Sequence, residues 1–149
     1  MTKKSSPASV PRSQKMDQKD YVALAAFRRS LRIFLAFSEQ AARAAGLTPQ
    51  QHQAILAIRG FSEGDGIAVG DLAAHLLLKH HTAVGLVDRL VRARLVVRKP
   101  DPEDRRRVLL TLAPKATKAL ETLSAQHLIE MRRNARELIK LLRHVQAKR

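Results

Sequence analysis

Three consecutive arginines, Arg105, Arg106 and Arg107, follow the run Pro100-Asp101-Pro102-Glu103-Asp104. A guanidinium is a permanent cation with five fixed donors. Inserted into a narrow minor groove, it reads shape and negative potential rather than base identity. Strand alternation would put Arg105 and Arg107 on one side and Arg106 on the other. A second constellation lies upstream. Thr82, Gly85 and Arg89 are three and four residues apart and share one helix face, with His81, Asp88 and Arg92 beside them. Such a face can reach base edges in a major groove. Gly85 either admits close approach to a duplex or merely weakens the helix. His80 and His81 fall in the first turn, where they meet DNA or solvent. Adjacent side chains diverge by about 100° on a helix, so one metal ion is poorly held by both. Lys79, just before them, suits a phosphate.

These residues need elements to carry them. Leu24, Phe27, Leu31, Phe34, Leu35 and Ala41 recur at steps of three and four, which predicts a long helix over 20–45 ended by Gly46. Thr48, Pro49 and Gln51 form a capping box with proline at the first position of a second helix. Ile67-Ala68-Val69 is a short strand. Helices over 71–77 and 80–94 then make a helix-turn-helix, although Leu77-Leu78-Lys79 offers neither a glycine nor a side-chain cap. Val96–Lys99 and 108–112 read as strands, and the prolines and aspartates between them force a loop. Together they form a hairpin with a basic tip. Helical spacing resumes over 113–133, Arg132-Arg133-Asn134-Ala135 reads as an interruption, and Leu138, Ile139, Leu141, Leu142 and Val145 mark a final helix.

The 149 residues carry 28 Lys and Arg against 13 acids, a formal charge of +15, which implies a polyanionic partner. The basic residues are expected to concentrate in the helix of residues 80–94 and in the hairpin. Aromatic residues make up only 3% and all precede residue 62, which disfavours stacking on single strands and shifts the balance to duplex DNA. The absence of cysteine removes disulfides and thiolate metal sites. No apolar run reaches 18 residues and the N-terminal stretch lacks the apolar centre of a signal peptide, so a cytoplasmic protein with no membrane partner is expected.

The ordered set resembles the MarR family of multiple antibiotic resistance regulators. The resemblance rests on residues 47–56, Asp71-Leu72-Ala73, residues 80–90, and above all residues 101–115. It implies a mainly α fold with a small β-wing: a dimerisation helix over 19–46, a winged helix-turn-helix lobe over 47–112 and C-terminal dimerisation helices over 113–149, while residues 1–18, rich in Ser, Pro and Lys without periodicity, read by composition as a disordered basic tail. It further implies a homodimer that reads a pseudo-palindromic duplex and represses transcription. The recognition helix (Lys79, His80, His81, Thr82, Gly85, Arg89) would enter the major groove, and the wing (Asp104, Arg105, Arg106, Arg107) the minor groove. In this resemblance Asp104 orients the Arg106 guanidinium. Small aromatic or anionic effectors would bind between the dimer helices and the reading lobe, where Phe34, Phe37 and His52 are the candidate lining. Leu24, Phe27, Leu31, Leu138, Leu142 and Val145 are the candidate dimer contacts. No cofactor or metal is implied, and two positions depart from the family: Lys79 where serine is frequent, and Ala113-Pro114 where a Thr cap is usual.

A non-specific architectural DNA-binding protein would share the charge and the helices, and specificity separates the two readings. An enzyme finds no support in the pattern, which has no Ser–His–Asp spacing, metal cluster or phosphate-binding glycine loop.

Overall fold

Capping chemistry sets most of the boundaries. A computed structural model of the chain describes residues 15–147. Asp17 and Asp20 close a reciprocal capping box at the start of α1 (Gln18–Ala44). Thr48 and Gln51 do the same for α2 (Pro49–Phe61), through hydrogen bonds of 3.0 and 3.1 Å. A two-residue strand, β1 (Ile67–Ala68), leads directly into α3 (Val69–His75). Then come α4 (His80–Arg92), β2 (Val96–Pro100), β3 (Val108–Leu112) and α5 (Pro114–Ala147). Most of the tail expected over 1–18 lies outside the described residues, and α1 begins at its last position. The 34-residue α5 is unbroken, so the interruption expected at residues 132–135 does not occur. No glycine or proline stands there, the arginines are exposed, and Asn134 donates to the Glu130 carbonyl at 3.1 Å and to its carboxylate at 2.9 Å.

Three helices end in the same way. Gly46, Leu77 and Arg94 each adopt positive φ (78°, 55° and 58°) just past α1, α3 and α4. In each case paired amide donors reach back to the last turn, as Leu78 N–H does to Ala73 O at 2.9 Å and Leu95 N–H to Leu90 O at 2.9 Å. The tight turn between α3 and α4 therefore forms without glycine, and leaves Leu77 92% exposed.

The sheet is antiparallel in the order β1-β3-β2, with Ile67 opposite Leu110 and Val96 opposite Leu112. Gly66, at φ 142°, feeds β1 so closely onto β3 that a Cβ there would lie 2.6 Å from the Leu110 carbonyl oxygen. Side chains from every layer fill one core: Ile55 and Ile58 of α2, Leu72 of α3, Val87 and Leu90 of α4, Leu95, Leu110 of β3 and Leu123 of α5. The remaining length of α5 packs along α1, apart from the reading lobe. No described helix is long and apolar enough to cross a membrane.

Candidate nucleic-acid interface and the histidine junction

Ala83, Leu86, Val87 and Leu90 seat α4 on the core. This burial turns His80, His81, Thr82, Arg89 and Arg92 outward, all exposed. Lys79 precedes them as the exposed N-cap residue, with no side-chain cap bond. Around Gly85 the space is open: a Cβ would meet only the Arg89 Nη1 atom, at 3.7 Å. Nothing inside the chain requires glycine there. Asp88 would repel phosphates were it free, but Arg98 of β2 pairs with its carboxylate. Arg92 Nε donates to the Asp88 carbonyl at 3.4 Å. The outward face of α4 is thus left to donors.

The wing tip, residues 101–107, is a loop held by its own aspartates. Asp101 Oδ1 accepts from Glu103 N–H at 2.9 Å, and Asp104 Oδ1 from Arg106 N–H at 3.0 Å. The Arg107 amide donates to Asp104 O at 2.9 Å, and the Asp101 amide to Arg107 O at 3.0 Å. Two expectations change here. Asp104 holds the Arg106 backbone rather than its guanidinium, because an aspartate in a tight turn reaches the amide two residues on. Strand alternation does not sort the three arginines, because the tip is not a strand. Instead Arg107 lies 3.6 Å from Asp71 of α3 and 4.0 Å from Asp101, a strut between wing and helix. Arg105 and Arg106 are exposed, and among the described residues neither meets a carboxylate.

Phe34, Phe37 and His52 do come together, around a residue the sequence reading did not place in the site. His127 of α5 is 8% exposed, and the rings of Phe34, Phe37 and His52 lie 5.8, 5.2 and 4.8 Å from its own. Its Nδ1 is 2.6 Å from the Leu123 carbonyl, which can only accept, so Nδ1 carries the proton. In the neutral ring Nε2 then accepts from the Ser38 hydroxyl at 2.8 Å. His52, 2% exposed, has an Nδ1 with no partner among the described residues. Burial holds its pKa below the usual 6.5, and the neighbouring His127 pushes the same way. The cluster joins α1, α2 and α5, where the reading lobe meets the long helices. His127 does fall on the inward stripe of its helix, a visible signal. Ser38 and Arg98 gave none, since their partners are remote in sequence. Among the described residues no group of three or more His, Asp or Glu could hold a metal ion.

A model of the MarR family matches residues 45–107, the segment from the end of α1 to the wing. Residues 45–107 form a MarR-family domain. Around this MarR domain the whole described chain keeps the fold of MarR regulators. The regulator AbsC from Streptomyces coelicolor superposes with a TM-score of 0.71 at 20% identity, covering 91% of this chain and 93% of its own. CouR from Rhodococcus jostii, solved with p-coumaroyl-CoA, gives 0.68 at 22% identity, with 89% and 93% covered. The S. aureus MepR F27L mutant, solved with an oligodeoxyribonucleotide, gives 0.60 at 20%, with 90% and 100% covered. In sequence, the transcriptional activatory protein BadR of Rhodopseudomonas palustris is 34% identical over 85 residues, 57% of this chain. The match spans about half the length of BadR, 49%.

Proposed function

We propose that the chain is a sequence-specific, duplex-DNA-binding transcriptional regulator acting as a homodimer. One observation carries the reading. The MarR domain presents a donor-rich face of α4 beside a wing whose Arg105 and Arg106 are exposed and pair with no carboxylate among the described residues. Thr82, Arg89, His80 and His81 would address base edges in the major groove, with Lys79 on a phosphate. Arg106, flanked by Arg105, would enter the adjacent minor groove, while Arg107 holds the wing in place. DNA is bound by MepR, and regulation of transcription is in the names of AbsC and BadR, which supports this assignment.

One such lobe covers few base pairs, and two related by a two-fold axis read half-sites about one helical turn apart. Exposed Leu24, Leu31, Leu142 and Val145 support pairing through α1 and α5, with half-buried Phe27 and Leu138 backing them. The domain division follows: a dimerisation helix over 19–46, the reading lobe over 47–112 and the dimerising helix from 113 onward. Occlusion of a promoter, hence repression, is the simplest consequence of binding.

The aromatic and histidine cluster of Phe34, Phe37, His52 and His127 is the proposed effector-responsive junction. An aromatic or anionic ligand there has an unpartnered His52 Nδ1 to engage. CouR was solved with p-coumaroyl-CoA, an aromatic acyl thioester with anionic phosphates, which supports a ligand of this class. To regulate, a ligand must bind the DNA-competent and incompetent states unequally.

Selection of tight binders from random duplex tests the central claim. A pseudo-palindrome bound at least about 10³-fold more tightly than random duplex is expected. No enriched motif would instead favour an architectural protein.

A further inference from the structure

The positive charge is not where the sequence reading expects it. Residues 45–113, which include α4 and the wing, carry ten basic and seven acidic side chains, a net of +3. The two long helices, residues 15–44 and 114–147, carry thirteen and six, a net of +7. Reading duplex DNA through the MarR domain leaves that larger excess unused.

Within α5 the excess is ordered. Ala116, Leu120, Leu123 and His127 define its buried direction. At about 100° per residue, Arg132, Arg136 and Arg143 fall within about 30° of the opposite direction and Lys140 within about 50°. All four are exposed, and among the described residues none has a carboxylate at ion-pair distance. The exposed apolar residues Leu128, Ile139 and Leu142 run along one flank of this ridge. A homodimer seam built on that flank leaves the ridge outside, because burying four unpaired cations is costly.

We propose that this ridge is a second polyanion-binding surface, and that it takes the phosphate backbone of a duplex other than the one read by α4 and the wing. The proposal rests on the chain being a DNA-binding regulator. Three properties of the ridge select duplex backbone over other anions. It places one cation every ~4.5–6 Å along ~16 Å of helix, against a duplex that presents about one negative charge per 1.7 Å of axis. Among the described residues from Arg132 onward, no large apolar side chain falls within about 40° of the outward direction, and Ile139 lies at its edge. Protein interfaces are organised around such anchors, whereas backbone binding needs none. No Phe, Tyr or Trp occurs after Phe61, so the ridge lacks the large aromatic platforms on which single-strand binders stack bases. Distance separates the two duplexes. The ridge begins ~27 Å along α5 from its start beside the wing strand, and ends ~44 Å along it. A dimer of such chains would hold its operator at one end and bridge to a neighbouring segment at the other.

The test uses the full-length protein. Beads carrying the selected operator are loaded with protein, washed, and offered a labelled unrelated duplex at about 50 mM salt. The wild type is expected to retain it, with retention falling steeply towards about 200 mM salt. The exposed-surface variant R132Q/R136Q/K140Q/R143Q should retain at least about tenfold less while its operator gel shift stays within about twofold. Its log–log salt slope for unrelated duplex should be shallower by as much as ~3.6, the release from four phosphate contacts. Operator-loaded wild type that retains nothing overturns the proposal. Equal retention by the variant also overturns it, since the second contact is then elsewhere. A loss seen with anionic lipid vesicles but not with duplex assigns the ridge to membranes and does the same. If no operator binds at all, the proposed function fails. The ridge is then judged on the variant's affinity and salt slope for unrelated duplex alone, where no change refutes it.

Discussion

The reading lobe and the two-helix layer solve opposite problems with the same residue types. In the lobe, short elements from α2 to β3 bury Ile55, Ile58, Leu72, Val87, Leu90, Leu95 and Leu110 against one another. In the layer, α1 and α5 leave Leu24, Leu31, Leu35, Leu128, Ile139 and Leu142 about half exposed. The lobe is complete as one chain. The layer has apolar surface that no described residue covers, and large exposed apolar patches mark interaction sites. On the proposed reading, specificity belongs to the lobe and the number of half-sites engaged belongs to the layer.

The strongest way to break this contrast is to charge the seam. Leu31→Glu combined with Leu142→Glu should give monomers by sedimentation, with operator affinity falling about 10³-fold towards non-specific binding. An unchanged dimer would mean the seam lies elsewhere. A smaller effect is expected from the lobe. Arg106→Ala should weaken operator binding by about 1–3 kcal/mol while leaving the thermal midpoint nearly unchanged, because the side chain is exposed and meets no carboxylate among the described residues. Wild-type affinity in a gel shift would remove Arg106 from the interface.

The third prediction concerns the junction between the two regions. The unfolded His52 ring titrates near 6.5, while burial, with His127 beside it, keeps the folded ring neutral to lower pH. Between those two values the unfolded chain binds more protons, so acidification favours unfolding. Stability should be full above pH 6.5 and decline as pH falls below it. His52→Leu, which also removes an unpartnered buried nitrogen, should flatten that decline in thermal melts at pH 5 to 8. Parallel curves for variant and wild type would show that His52 is not the group responsible. The smallest effect sharpens the role of Gly85. Alanine fits the open space around it, so Gly85→Ala should stabilise the fold by about 0.5–1 kcal/mol. If α4 approaches DNA closely at this point, the same variant binds operator less tightly. A more stable protein with unchanged affinity would reduce Gly85 to a weak helix residue.

Features written in neighbouring residues were legible. Thr48 and Gln51 announced α2, and Pro100, Asp101 and Pro102 announced the wing loop. Helical spacing announced the first half of α5, but Arg132 to Ala135 misled. A polar run on an exposed face looks like an end, yet without glycine or proline the helix period simply continues. The turn at Leu77 misled in the other direction: three helices share one hydrogen-bonded ending, and two achieve it with side chains that strain the backbone. What stayed hidden was long-range. Asp88 with Arg98, Asp71 with Arg107, and Ser38 with His127 are pairs made only by folding.

Two of those pairs bear on how the molecule can be regulated. Arg98 ties β2 to the recognition helix, and Arg107 ties the wing tip to α3. Each is a modest surface contact worth up to about 1 kcal/mol. Leu95 and Val96 are also buried beneath the same elements. Helix and wing therefore form a caliper, and on the proposed reading the stagger between the two grooves at one half-site is built into each chain. What remains adjustable is the stance, the separation and tilt of one caliper relative to its mate. On the proposed reading, a signal arriving at the junction would switch binding by changing that stance, without altering the bases each half prefers.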